Sequence, residues 1–420
     1  MIRKGRLIAA LITVTGLFVL ITATAVASPI LSPKEALGEA IFFDESLSIN
    51  QNQSCASCHD PEAGWTGPLT DTNEHGAVYE GSIPGRFGDR KPPSAAYATL
   101  SPIFHQDKKG LWVGGNFWDG RATGEMLGNP AADQAVGPFL NPMEQALPDS
   151  ACVVYRVCTA TYPTSFEDVW GVGVCAITWP SDIEIVCATE GTSVTLSTAD
   201  RAKSNQAYGQ IALSIAAYEA SSTVNAFTSK YDYSFVGKVK LTKEEQKGFA
   251  IFQGKGKCRL CHSSGKNALF TDFTFDNLGI PQNPDNPAGV NPAFVDSGLG
   301  GFLKNAGYGE DVYLAEWGKH KVPTLRNVDL RPDEEFVKAY GHNGYFKTLE
   351  GIVHFYNTRD VLPECPGAYT EAQALAENCW PAPEVLENVN TDELGNLGLT
   401  PDEEAALVAF LKILSDGYMP

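Results

Sequence analysis

Positive charge is what this chain has least of. Its 31 lysines and arginines face 50 aspartates and glutamates, for a formal charge of −19. Such a surface repels nucleic acid, and it either keeps the protein soluble or steers a basic partner toward it. Long apolar runs are missing beyond Leu20, so no later segment could span a bilayer. Methionine is scarce too: Met1, Met126, Met143 and Met419 are the whole supply. Low-complexity tracts are absent, and there is no finger-type array of Cys and His pairs, which removes a zinc domain.

What is present begins with a leader. Arg3, Lys4 and Arg6 precede the apolar run Leu7 to Leu20, and Ala25-Val26-Ala27 stands before Ser28. This predicts a signal peptide over 1–27 with an A-x-A cleavage site. The protein is then expected in a periplasm or at the cell exterior, with no stable membrane span after cleavage. An uncleaved anchor is the other reading of the same run.

Two five-residue stretches organise the remainder. Cys55-Ala56-Ser57-Cys58-His59 recurs as Cys258-Arg259-Leu260-Cys261-His262. Cys-x-x-Cys-His is the attachment signature of c-type haem, in which two thiols bond the macrocycle and the adjoining imidazole binds iron. A redox dithiol does not account for a histidine following the pair twice. The expectation is two covalently bound c-type haems, with Cys55, Cys58, Cys258 and Cys261 as attachment points and His59 and His262 as metal ligands.

Helix-start signals precede both motifs. Ser32-Pro33-Lys34-Glu35 and Thr242-Lys243-Glu244-Glu245 are capping boxes, so the chain holds a diverged duplication of a helix-then-haem unit. Thr400-Pro401-Asp402-Glu403 opens a final helix carrying Leu407, Phe410, Leu411 and Leu414. A helical pattern also runs from Ala207 to Ala220. The fold expected is all-α, with two cytochrome c-like haem domains, 28–205 and 206–420. A disulfide-stapled β-hairpin insertion is expected at about 147–200. There Val174 to Trp179 and Ile183 to Cys187 alternate around Pro180-Ser181-Asp182, a register that faces Cys175 with Cys187. Six cysteines lie outside the motifs and an oxidising compartment favours bonding them. Cys175–Cys187 follows from the register, and Cys152–Cys158 and Cys365–Cys379 from proximity alone. Pro281 to Pro292 reads as a surface loop.

Between and after the motifs come Phe117-Trp118-Asp119-Gly120-Arg121, Gln134-Ala135-Val136-Gly137-Pro138 and Asn141-Pro142-Met143-Glu144. They are followed by Val322-Pro323-Thr324-Leu325-Arg326-Asn327, Gly341-His342-Asn343-Gly344 and His354-Phe355-Tyr356-Asn357. With these the chain resembles the bacterial di-haem cytochrome c peroxidase and MauG family over nearly its whole mature length. The resemblance implies an enzyme, a peroxidase-type oxidoreductase that reduces hydrogen peroxide with electrons from an external donor such as a small cytochrome c. It implies a peroxidatic first haem and an electron-transferring second one, with Trp118 as relay between them and Gln134 and Glu144 in the distal pocket of the first.

Two departures from the family pattern are informative. Methionine-ligated members place their sixth ligand fourteen residues after the histidine of the His-x-Gly segment; here His342 plus fourteen is Tyr356. This resembles the tyrosine-ligated, MauG-like branch, and makes Tyr356 the expected ligand of the second iron. A partner protein then becomes an alternative substrate, and a non-catalytic electron carrier is the rival from another class. The family's calcium ion uses an asparagine where Lys91 stands, which makes calcium doubtful. His75 is read as an exposed loop histidine, and His105, His320, His342 and His354 receive no ligand role.

Overall fold

Each of the three capping boxes opens a helix: Pro33–Phe42, Lys243–Gln253 and Pro401–Lys412. The carboxylate of Glu35 accepts the Ser32 amide at 2.6 Å, and that of Glu245 accepts the Thr242 amide at 2.7 Å. These bonds satisfy donors that a helix start otherwise leaves open. The structure, a computed structural model, describes residues 30–290 and 294–420. The predicted leader over 1–27 and the end of the Pro281 to Pro292 loop lie outside the described residues.

The duplication is visible in packing. Six residues after each N-cap stands a glycine, Gly38 or Gly248. A Cβ added at Gly38 would lie 1.9 Å from the Ser214 carbonyl oxygen, and one at Gly248 would lie 1.9 Å from that of Ala406. Each pre-motif helix therefore crosses a later helix, Thr198–Glu219 or Pro401–Lys412, at backbone contact. Around the first crossing Leu37, Ile41 and Phe42 bury against Ile211, Ile215 and Tyr218. Around the second, Ile251 and Phe252 bury against Leu407, Phe410 and Leu411. The two cores are filled by apolar side chains taken from helices on either side of each motif, so each motif sits on a rigid floor.

Regular structure is mostly helical. Strands among the described residues are two-residue pairs, His105–Gln106 with Trp112–Val113 and Phe275–Asp276 with His320–Lys321, both antiparallel. Helix Thr198–Glu219 runs unbroken through residue 205 and packs in the first core, so a boundary at 205/206 would cut it. No described helix is long and apolar enough to cross a membrane.

The expected hairpin insertion does not form. Ile183–Cys187 is a short helix, and Val174 to Trp179 has no strand. Residues 183 and 187 satisfy a period of two and a period of four equally well, and here the helical period wins: Ile183 and Cys187 are buried while Ile185 is 72% exposed. The cystines change accordingly. Cys187 bonds Cys152, and Cys175 bonds Cys158, replacing the expected Cys175–Cys187 and Cys152–Cys158; Cys365–Cys379 forms as expected. Nor is the stretch a surface appendage. Helix Ser150–Thr159 buries Val153 and Val154 completely in the first core. Arg156 donates to the carbonyls of Ser46 and Ser48, both at 2.6 Å, just ahead of the first motif.

Candidate haem site in a shared cavity

The two motifs adopt one local geometry. Each opens with a single 3-10 turn, Cys55–Ser57 or Cys258–Leu260. The turn closes with the histidine amide donating back to the first cysteine carbonyl, at 3.0 Å for His59 and 2.8 Å for His262. In both, imidazole Nδ1 meets a backbone carbonyl further along: Trp65 at 3.2 Å for His59 and Phe270 at 2.7 Å for His262. An Nδ1–H spent there leaves the lone pair on Nε2, the arrangement of a metal-binding histidine. Burial holds both rings neutral, lowering His59 to about 4 and His262 in the same direction.

Both motifs open onto a single cavity of about 1000 Å³, bordered by Cys55, Cys58, His59, Cys258, Cys261 and His262. Trp118, Gln134, Glu144 and Tyr356 border it as well, so the expected attachment, ligand and pocket residues all meet the same space. The donor set suits haem better than zinc. Burial pushes the Cys58 and Cys258 thiols up to about 12 and raises those of Cys55 and Cys261 too, whereas zinc needs thiolates. Arg90, Lys91 and Lys321 also line the wall.

Gln134 comes from helix Pro130–Ala135, started by Asn129, whose side chain accepts the Ala131 amide at 2.8 Å. Glu144 follows a turn in which its amide donates to the Asn141 carbonyl at 2.9 Å. The carboxyl is enclosed by protein yet open to the cavity, and desolvation raises its proton affinity against the opposing pull of Arg121 and Asn141. That is the direction a general acid requires.

Trp118 is 8% exposed. Its indole N–H donates to the Lys91 carbonyl at 2.8 Å, and its own carbonyl accepts the Lys321 amide at 2.8 Å. Asp119 beside it accepts Arg90 and Arg121, both at 2.6 Å. The Arg121 guanidinium also lies 3.8 Å from the centre of the Phe117 ring, so the Phe-Trp-Asp-Gly-Arg segment is held by its own charged members.

Tyr356 lies on helix Leu349–Thr358, whose Leu349, Ile352, Val353 and Tyr356 share one face on the cavity. Among the described residues its hydroxyl has no hydrogen-bond partner, and burial raises its proton affinity. This half-buried phenol borders the cavity unpartnered, and of the methionines among the described residues only Met143 borders it too. Met126 and Met419 are 63% and 79% exposed, and Met143 adjoins Glu144.

The Lys91 ammonium is buried, donating to Thr66 Oγ1 at 2.8 Å and the Pro92 carbonyl at 2.9 Å, and desolvation lowers it to about 7. His75 lies at the surface with its Nδ1 2.8 Å from the Asp71 carbonyl, away from the cavity. Sequence reasoning missed Glu219. It is 5% exposed, borders the cavity, and is raised to about 8 by burial. Its signal was a carboxylate continuing the buried stripe Ile211-Ile215 of one helix, four residues on.

A family model described as di-haem cytochrome c peroxidase matches residues 32–240. Methylamine utilization protein MauG of Paracoccus denitrificans is 36% identical over 390 residues, covering 91% of this chain and 88% of that protein. Cytochrome c551 peroxidase of Nitrosomonas europaea is 26% identical over 320 residues, covering 76% of this chain and 70% of its own. The crystal structure of the diheme peroxidase BthA from Burkholderia thailandensis superposes with a TM-score of 0.69 at 26% identity, over 92% of this chain and 87% of that one. The duplicated motif geometry, the cavity common to both motifs and these likenesses converge: the chain belongs to the di-haem cytochrome c peroxidase and MauG family and is a peroxidase-type oxidoreductase.

Proposed function

We propose that the enzyme reduces hydrogen peroxide at the haem carried by Cys55, Cys58 and His59. Electrons would enter from an external donor through the haem carried by Cys258, Cys261 and His262. The observation that carries this reading is the cavity common to both motifs, which Trp118, Gln134, Glu144 and Tyr356 also border. A bound haem supplies the iron at which peroxide reacts and the electrons are stored. Glu144 takes the proton from one peroxide oxygen and returns it to the other, so that the second leaves as water. Gln134 orients the peroxide for that transfer, and two electrons and two protons complete its conversion to two waters. Trp118, anchored at Lys91 and Lys321, relays electrons between the halves, which join after Glu219. Tyr356 and His262 would hold the second haem's iron, the phenolate as a hard anionic donor and the imidazole as a neutral one.

The donor in this reading is a small basic cytochrome c, which the acidic surface would attract, in a periplasm or outside the cell. Tyr356 supports a second reading, oxidation of residues in a partner protein. A phenolate is a hard anionic donor that disfavours reduced iron, unlike the thioether of methionine. Both readings leave calcium out, because Lys91 puts an ammonium where the family has an asparagine.

Glu144→Gln tests the distal assignment. Both haems should remain attached while peroxide-dependent oxidation of a cytochrome donor slows by roughly 10²–10⁴-fold, the usual worth of a positioned acid–base group. An unchanged rate would remove Glu144 from the reaction.

A further inference from the structure

His320 and His342 lie 22 residues apart in the chain yet stack face to face, with ring centres 3.6 Å apart and planes 11° from parallel. Strand His320–Lys321, paired with Phe275–Asp276, brings the first ring in, and the Gly341-His342-Asn343 turn brings the second. Each ring has its own carboxylate: His320 Nε2 is 3.2 Å from Asp296, and His342 Nε2 is 3.4 Å from Glu384. Both nitrogens are sealed from solvent, and neither makes a well-directed hydrogen bond. Buried polar nitrogens in that condition are costly unless a proton or an ion settles them.

The surroundings favour a proton. Both oxygens of Asp296 already accept the Arg90 fork at 2.7 Å, and Oδ1 also accepts the Gly298 amide at 3.0 Å. Glu384 accepts the Asp296 amide at 3.0 Å and Asn343 at 3.2 Å. Little lone-pair capacity is left for a metal, and parallel rings cannot aim both Nε2 lone pairs at one ion. The charged groups packed on the pair and on Arg90 are Asp296, Glu384, Asp119, Arg90 and Arg121. Asp296 and Glu384 can each steady a proton on the ring beside it, and the negative charge that an arriving electron adds would favour that proton. Two protons would place like charges in stacking contact.

The pair also adjoins the electron path. The His342 carbonyl accepts the Lys91 amide, and Lys91 in turn accepts the Trp118 indole; on the other side Lys321, next to His320, donates its amide to Trp118. We infer that the pair of His320 and His342 takes up one proton, on either ring beside its own carboxylate, drawn from water when an electron passes through Trp118 into the first half and returned when that electron is spent on peroxide. The electron comes from the external donor and the proton from solvent, so each reductive step is electroneutral. This rests on the relay role of Trp118 proposed above.

The test uses the enzyme with both haems attached. Its second haem is reduced rapidly, and transfer to the first is followed across pH while an indicator dye reports proton uptake in unbuffered solution. The expected result is close to one proton taken up per electron transferred, with a single pH-dependent step in the transfer rate. His320→Gln and His342→Gln together should abolish that uptake and flatten the step. Glu384→Gln removes the charge that steadies the proton and should move the step to lower pH by about 1–3 units. It decides the matter even if the histidine variants fold poorly. Unaltered uptake in the histidine variants, or an unmoved step in Glu384→Gln, would overturn the inference. So would a third metal ion per chain by elemental analysis that His342→Gln loses. Trp118→Phe separates the two readings: an unchanged transfer rate would sink the relay, whereas the dye signal in the histidine variants judges the pair.

Discussion

Trp118 donates its indole N–H to the carbonyl oxygen of Lys91, 2.8 Å away. A peptide carbonyl is a strong acceptor but a very weak base, so it can orient the ring without removing its proton. The ring is thereby held on the wall of the cavity that both motifs border. Phenylalanine would fill the space but lose both the bond and the easily oxidised indole. Trp118→Phe should leave single-turnover reaction of peroxide at the first site intact and slow steady-state donor oxidation. The check is stopped-flow and steady-state rates on one preparation; equal slowing of both would place Trp118 in the peroxide pocket instead.

Tyr356→Met tests ligation of the second iron. A soft thioether favours reduced iron, so the variant should show a higher reduction potential at that haem and altered spectra, with reactivity shifted toward cytochrome oxidation. Spectroscopic titration, with magnetic resonance to assign axial ligands, reads both. An unaltered potential and spectrum would make Tyr356 a packing residue and withdraw the support for partner oxidation.

The helix crossing at Gly248 predicts a stability defect. Alanine there would drive its Cβ to 1.9 Å from the Ala406 carbonyl, and the helices must part. The expected cost is about 1–3 kcal/mol or more. Gly88→Ala, whose added Cβ meets nothing within 4 Å, is the control. Matching melting temperatures in the two variants would show that the crossing is looser than described.

Glu219 gives stability a pH dependence of known sign. Its folded-state value of about 8 lies above the ordinary 4.5, so the folded chain keeps a proton that the unfolded chain releases. The resulting stabilisation is full at pH below 4.5 and is lost as pH rises through about 8. Glu219→Gln should remove that slope and gain on the order of 1–3 kcal/mol over wild type at high pH, with little gain under acidic conditions. Thermal unfolding at an acidic and an alkaline pH decides it; parallel curves for the two proteins would refute the assignment.

Signals that act over a few residues were legible in the sequence. The capping boxes at Ser32, Thr242 and Thr400 and both Cys-x-x-Cys-His turns are satisfied by neighbours three or four residues away, so spacing alone specified them. The segment from Ser150 to Cys187 failed for the opposite reason. Its alternation at Ile183, Ile185 and Cys187 fitted a strand, but burial against the first core and the bond to Cys152 decided for a helix. The stacked pair of His320 and His342 had no local signature, because pairing of Phe275 with Lys321 is what brings the rings together. Gln134, Glu144, Trp118 and Tyr356 were found through motif order, and Glu219 was not, because it belongs to no motif.

Six cysteines are joined in three cystines, and the other four, Cys55, Cys58, Cys258 and Cys261, are those of the two Cys-x-x-Cys-His turns. In the exported setting proposed above, one newly made chain would have to be oxidised at some sulfurs and kept reduced at others. The partners in each attachment pair are only three residues apart and could close on each other first. Maturation is then a race, in which haem delivery to each Cys-x-x-Cys-His turn has to outrun closure of Cys55 onto Cys58 and of Cys258 onto Cys261.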